Sequence, residues 1–132
     1  MVIARNKEKG ILEQILAYEP RIALNQATDF MTAHPNLAGF YATNEGSTVG
    51  TGMAIEQRGM AGQIRFVGFD WSETTRGLIE RGVLDATMIQ NPFRMGYDGV
   101  QTAIDIVQGR SVERHVDTGV IVVNIGNTHT ID

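Results

Sequence analysis

The chain has 132 residues, a formal net charge of −4, 42% hydrophobic residues and 20% charged residues, which suits one folded globular domain and argues against disorder. It has no cysteine, so disulfides, cysteine-ligated metals and thiol chemistry are excluded. No run of Lys and Arg offers a nucleic-acid or anionic-membrane footprint, no apolar run approaches the roughly 20 residues of a membrane span, and residues 1–7 are charged too early to read as a signal peptide.

Residues 11–17 are short and apolar enough for a strand, with helix left open at that length. Pro20 suits the first turn of a helix. Ala23, Leu24, Ala27, Phe30 and Met31 then recur at helical spacing. The helix should stop at His34-Pro35, because a residue before proline avoids the α region. Residues 37–43 read as a buried strand, and 46–57 as a helix with Val49, Met53 and Ala54 on its apolar side. Residues 63–69 hold Ile64, Phe66, Val67 and Phe69, the near-continuous apolar run of a parallel strand covered on both faces. Ser72 caps a helix that carries Leu78 and Ile79 and stops at Gly82. Residues 84–89 form another strand. Asn91-Pro92 opens a helix whose apolar face holds Phe93, Gly96, Val100, Ala103, Ile104 and Val107, and Gly109 closes it. A last strand covers 118–123, and 124–132 reads as a polar tail. Strands alternating with helices at this rhythm mean βαβ units, hence an α/β fold with a mainly parallel sheet and helices on both faces.

In an open α/β sheet, ligands bind outside the carboxyl ends of the strands. Three predicted strands end there in polar residues, so Asn44, Asp70 and Gln90 should converge on one edge. A carboxylate accepts several hydrogen bonds and a carboxamide both donates and accepts, a combination suited to a ligand covered in hydroxyls. Trp71 and Tyr18 offer ring faces to the C–H face of a sugar. The same residue types also serve as turns and helix caps, and both roles stand open at this point. The glycine-rich stretch 46–52 lacks the lysine of a phosphate loop, and Glu45 beside it would repel an anion. Its glycines are read as letting the helix pack closely on the sheet. His34, His115 and His129 lie apart without metal-ligand spacing. Ser72 near Asp70 has no nucleophile elbow around it. No metal, cofactor or catalytic group is therefore expected, and Glu45 and Asp70 read as a helix-start charge and a binding residue rather than a hydrolytic pair.

Three segments, in this order and spacing, resemble the C-terminal lobe of the ribose-type, type I periplasmic sugar-binding proteins of ABC transporters. They are Ala33-His34-Pro35-Asn36-Leu37-Ala38-Gly39-Phe40-Tyr41-Ala42-Thr43-Asn44-Glu45, then Val67-Gly68-Phe69-Asp70, then Gly82-Val83-Leu84-Asp85-Ala86-Thr87-Met88-Ile89-Gln90-Asn91-Pro92. The third runs on into Met95-Gly96-Tyr97 and the helix ending at Gly109. Sugar-responsive repressors of related fold usually carry a proline-rich segment where this chain has 81–87, so the likeness is to the transport proteins.

The resemblance implies a three-layer α/β sandwich with Asn44, Asp70 and Gln90 as ligand contacts and Tyr18 in the place of an aromatic contact. Glu45 stands where the family usually has Asp, and Trp71 fills a variable position, its role read from chemistry alone. It also implies that 1–132 is a single partial domain, a C-terminal lobe lacking its first strand, with residues 1–6 ending that lobe's first helix. The helix at 92–108 corresponds to the segment that crosses to an N-terminal lobe. The implied function is that of a substrate-binding component, or a fragment of one, of an ABC sugar importer. It would hold a monosaccharide or similar polyol non-covalently, in the periplasm or at the cell surface, with an ABC permease as partner and no nucleic acid. A sugar-sensing module of the same fold, or an inactive truncated fragment, is the alternative. Unpaired surfaces, the apolar face of 92–108 above all, favour self-association.

Overall fold

The computed structural model describes residues 19–131 in full and the backbone of residues 2–6 and 10–14. Cap chemistry sets where its helices begin. Glu19 accepts from the Ile22 N–H at 3.1 Å ahead of Pro20, opening α1 (Pro20–Ala33). Asn44 Oδ1 accepts from the Ser47 N–H at 2.9 Å and opens α2 (Glu45–Gln57). Ser72 and Thr75 form a capping box at the start of α3 (Glu73–Glu80), and Asn91 accepts from the Arg94 N–H at the start of α4 (Pro92–Val107). The Ser72 and Asn91-Pro92 starts are those read from the sequence.

The strands are β1 (Val2–Asn6), β2 (Gly10–Gln14), β3 (Leu37–Ala42), β4 (Arg65–Phe69), β5 (Ala86–Gln90) and β6 (Val120–Asn124). They form one sheet in the order β2-β1-β3-β4-β5-β6. β3, β4 and β5 run parallel, each joined to the next by one helix, and this is the α/β centre that the sequence predicted. β1 is antiparallel to β3 and β2, and β6 is antiparallel to β5.

Burial alternates along the parallel strands as the pleat requires. Phe40, Ala42, Phe66, Gly68 and Thr87 point to one face and are buried there, with Val123 of β6 opposite Thr87. Helices α1, α2 and α3 cover that face. The Phe30 ring of α1 lies 5.9 Å from Phe40, which meets Phe66 edge-on at 6.5 Å, and α3 adds Leu78 and Ile79 to the same core. Of the three layers expected, the sheet and one helical layer are thus formed by α1, α2 and α3. The other face carries Tyr41, Val67, Phe69 and Met88, all half-buried, with the Tyr41 hydroxyl 3.7 Å from Met88 Sδ.

Four local expectations are corrected. Residues 2–6 form a strand rather than a helix end, so β3 has a paired neighbour on that side. The last segment is not merely a tail. Asn124 and Asn127 exchange side-chain bonds with the backbone of a tight turn, a 3-10 helix follows at Thr128–Thr130, and Thr128 is buried. On α2, Met53 is exposed, and the buried side consists of Ser47, Thr48, Gly50, Thr51, Gly52, Ala54 and Ile55. These small residues let helices approach, but the approach at Gly50 is to α1 rather than to the sheet. A Cβ there would stand 2.3 Å from the Pro20 carbonyl oxygen and 2.6 Å from Ala23 Cβ.

Candidate functional site

Asp70 follows the last residue of β4 with φ at +69°, a left-handed conformation that Asp adopts more readily than most residues because its short side chain bonds locally. Its backbone is held on both sides. The Asp70 N–H donates to the Met88 carbonyl at 2.8 Å, and the Thr87 hydroxyl donates to the Asp70 carbonyl at 2.9 Å. Its carboxylate faces the neighbouring strand ends. Oδ1 accepts from Gln90 Nε2 at 2.8 Å, and Oδ2 accepts from the Glu45 N–H at 3.2 Å. The second bond places a negative charge at the N-terminus of α2, where the helix dipole favours it. The start of α2 and the ends of β4 and β5 therefore meet through one carboxylate; of the three expected side chains, Asp70 and Gln90 are joined, while the Asn44 carboxamide oxygen is turned to its helix cap.

Each expected site residue has a definite place. Asp70 and Gln90 are bonded to each other and half-buried. Asn44 is a helix cap: its Oδ1 serves the Ser47 N–H, and what it can offer a ligand is its amide nitrogen. Glu45 takes part through its backbone N–H, and its side chain is exposed. Trp71 is half-buried and packs against the hydrophobic core. Tyr18 lies outside the described residues.

A cavity of about 420 Å³ opens at this point, lined by Asp70, Trp71, Ile89, Gln90, Pro92 and Met95. Ile89, Pro92 and Met95 were not singled out from the sequence. The signal was available: Ile89 adjoins Gln90, and Met95 follows Pro92 at i+3, so both lie on one side of the first turn of α4 beside the strand end. This lining holds one carboxylate, one carboxamide and no cation. Asp70 keeps acceptor capacity beyond its two internal bonds, and Gln90 keeps its carbonyl oxygen. The remaining wall is apolar. Such a surface suits a neutral, hydroxyl-bearing ligand with one apolar face, and it disfavours an anion.

A model of the periplasmic binding protein domain matches residues 7–111. The D-allose-binding periplasmic protein of Escherichia coli is 31% identical over 83 residues, which are 63% of this chain and 27% of that protein. A solute-binding protein of an ABC transporter from Agrobacterium vitis, solved with bound D-fucose, is 37% identical with a TM-score of 0.74, over 83% of this chain and 38% of that one. A second from the same organism, bound with α-D-tagatopyranose, is 30% identical with a TM-score of 0.79, over 88% of this chain and 39% of that one. The chain thus spans well under half the length of the relatives it matches. With the family model covering most of its length, the chain belongs to the periplasmic binding protein domain family.

Proposed function

We propose that this chain is a ligand-binding lobe of the substrate-binding component of an ABC-type sugar importer, and that it takes a monosaccharide or similar polyol non-covalently. The observation that carries the reading is the Asp70–Gln90 pair, 2.8 Å apart at the carboxyl ends of parallel strands and open to a cavity with an otherwise apolar wall. Asp70 binds paired hydroxyls, Gln90 and the Asn44 amide orient the ring, and Trp71 with Met95 covers its C–H face. Tyr18 would add a second aromatic face and Glu45 a rim carboxylate. No bond is broken, so the role is capture rather than catalysis. The names of the relatives, which speak of D-allose, D-fucose and tagatose, support neutral sugars as the ligand class. In the whole protein, capture would be completed by closure of a second lobe, a hinge motion, in the periplasm or at the cell surface and in partnership with a permease. We also propose that the isolated chain self-associates through α4.

The test is a titration of the 132-residue chain with D-allose and D-fucose, followed by NMR. One lobe leaves the sugar's far side in water. Three or four hydrogen bonds at about 0.5–1.5 kcal/mol each then roughly meet the cost of association. Affinity no tighter than millimolar is expected, with any shifts confined to the Tyr18, Asn44, Glu45, Asp70, Trp71, Gln90 and Met95 signals. Micromolar affinity would refute the one-lobe argument. Shifts elsewhere, or tighter binding of a sugar phosphate than of the neutral sugar, would refute the site.

A further inference from the structure

We infer that Thr48 is a positioning residue for Asp70, acting through the backbone of Phe69. The inference rests on the reading of Asp70 as the principal sugar contact and goes on to say what holds that carboxylate in place. β3 and β4 pair only as far as Tyr41 and Val67. Beyond that point the backbone groups of Phe69 on the β3 side have no strand to bond, and buried backbone polar groups must find other partners. Thr48, on the first turns of α2 and fully buried, supplies both. Its Oγ1 accepts from the Phe69 N–H at 2.9 Å and lies 3.1 Å from the Phe69 carbonyl. The same hydroxyl lies 2.8 Å from the Asn44 carbonyl, so its single proton is shared between the helix start and the strand end.

The next residue along is Asp70, whose φ of +69° costs free energy even for Asp and is kept where the surroundings hold it. The Thr48 hydroxyl on one side and the Thr87 hydroxyl on the other supply that constraint. Gly68 makes the approach possible: a Cβ on it would stand 2.4 Å from Thr48 Cγ2, so only a glycine lets the threonine methyl sit against the strand there. Thr48 therefore touches β4 twice, with its methyl on Gly68 and its hydroxyl on Phe69, and these two contacts can be separated by substitution.

Thr48→Val keeps the methyl and deletes the hydroxyl, and Thr48→Ser does the reverse. If the hydroxyl positions Asp70, Thr48→Val should move the Asp70 amide and carboxyl carbon signals and weaken D-allose binding about fivefold, the loss of one ordinary hydrogen bond. Thr48→Ser should keep the wild-type Asp70 signals and affinity. A residue that only fills space would give the opposite order, with Thr48→Ser the more perturbed, and that order overturns the inference, as do unchanged Asp70 signals in Thr48→Val. The signals report on positioning even if the wild-type chain binds no D-allose, so failure of the sugar reading is told apart from failure of this one. Should Thr48→Val not fold, amide exchange in the wild-type chain decides: a Phe69 N–H protected as well as the ladder amides of β4 supports the inference, and rapid exchange refutes it.

Discussion

Asp70 and Asn44 are both polar residues at strand ends, yet their side chains do different work. The Asp70 carboxylate accepts from the end of β5 and from the first N–H of α2 and still has lone pairs to offer, whereas the Asn44 side-chain oxygen is committed to the N-cap of α2. A hydroxyl bonded to a carboxylate is held roughly twice as strongly as one bonded to a neutral group. Asp70→Ala should therefore weaken sugar binding more than Gln90→Ala or Asn44→Ala, in this chain or in a longer protein that contains it. Asn44→Ala should instead appear in stability, at about 1 kcal/mol for a lost N-cap. Calorimetric titration and urea unfolding of the three variants separate the two effects, and an Asp70→Ala protein of undiminished affinity would refute the assignment. The meeting of Asp70 and Gln90 was legible in the sequence because strand ends and topology place residues together. The division of labour between them was not, since one amide side chain can cap or bind and only its geometry decides. Ile89 and Met95 stand next to the strand end in the sequence, but apolar residues there read as core rather than as cavity wall.

At the scale of the elements, the small-residue face of α2 decides how closely the helices stack. The glycine run at 46–52 was visible in the sequence, but periodicity names a face and not the neighbour it meets. At Gly50 that neighbour is the backbone of α1, which cannot step aside as a flexible side chain could. Gly50→Ala should gain up to about 1 kcal/mol in helix propensity and lose about 1–3 kcal/mol to overpacking, for a net loss of stability. Gly96 in α4 is the internal control. A Cβ there meets nothing within 4 Å, so Gly96→Ala should raise stability by the propensity gain alone. Urea midpoints that move the same way for both variants would show that the contact between α1 and α2 is not as close as the geometry indicates. The misreading of residues 2–6 has a similar origin, because a run of five residues is too short for either period to declare itself. The turn after β6 escaped notice because its reciprocal asparagine bonds depend on spacing and conformation, not on hydropathy.

The molecule as a whole is lopsided, and α4 is the cause. None of its residues is buried. Its polar side is the better covered one: Asp98, Thr102 and Asp105 are half-buried and, with Val112 and Val116 of the returning chain, line a shallow groove. The apolar side faces water, with Phe93 at 82%, Val100 at 64% and Val107 at 87% exposure, and Phe93 stacks on Tyr97 with ring centroids 6.4 Å apart. β6, at one edge of the sheet, adds the exposed side chains of Val120, Ile121 and Val122. Apolar patches of this extent and unpaired strand edges drive association. The chain in isolation should therefore form dimers or larger species whose mass, followed by light scattering, falls on dilution. Val100→Lys with Ile104→Lys should shift it toward monomer. The same double variant should leave the unfolding midpoint of the monomer nearly unchanged, because neither side chain is buried and surface substitutions typically cost under about 0.5 kcal/mol. A wild-type chain that stays monodisperse and monomeric across the dilution series would refute the argument. So would a double variant that associates as strongly as the wild type, since the contact would then have to lie on β6 or elsewhere.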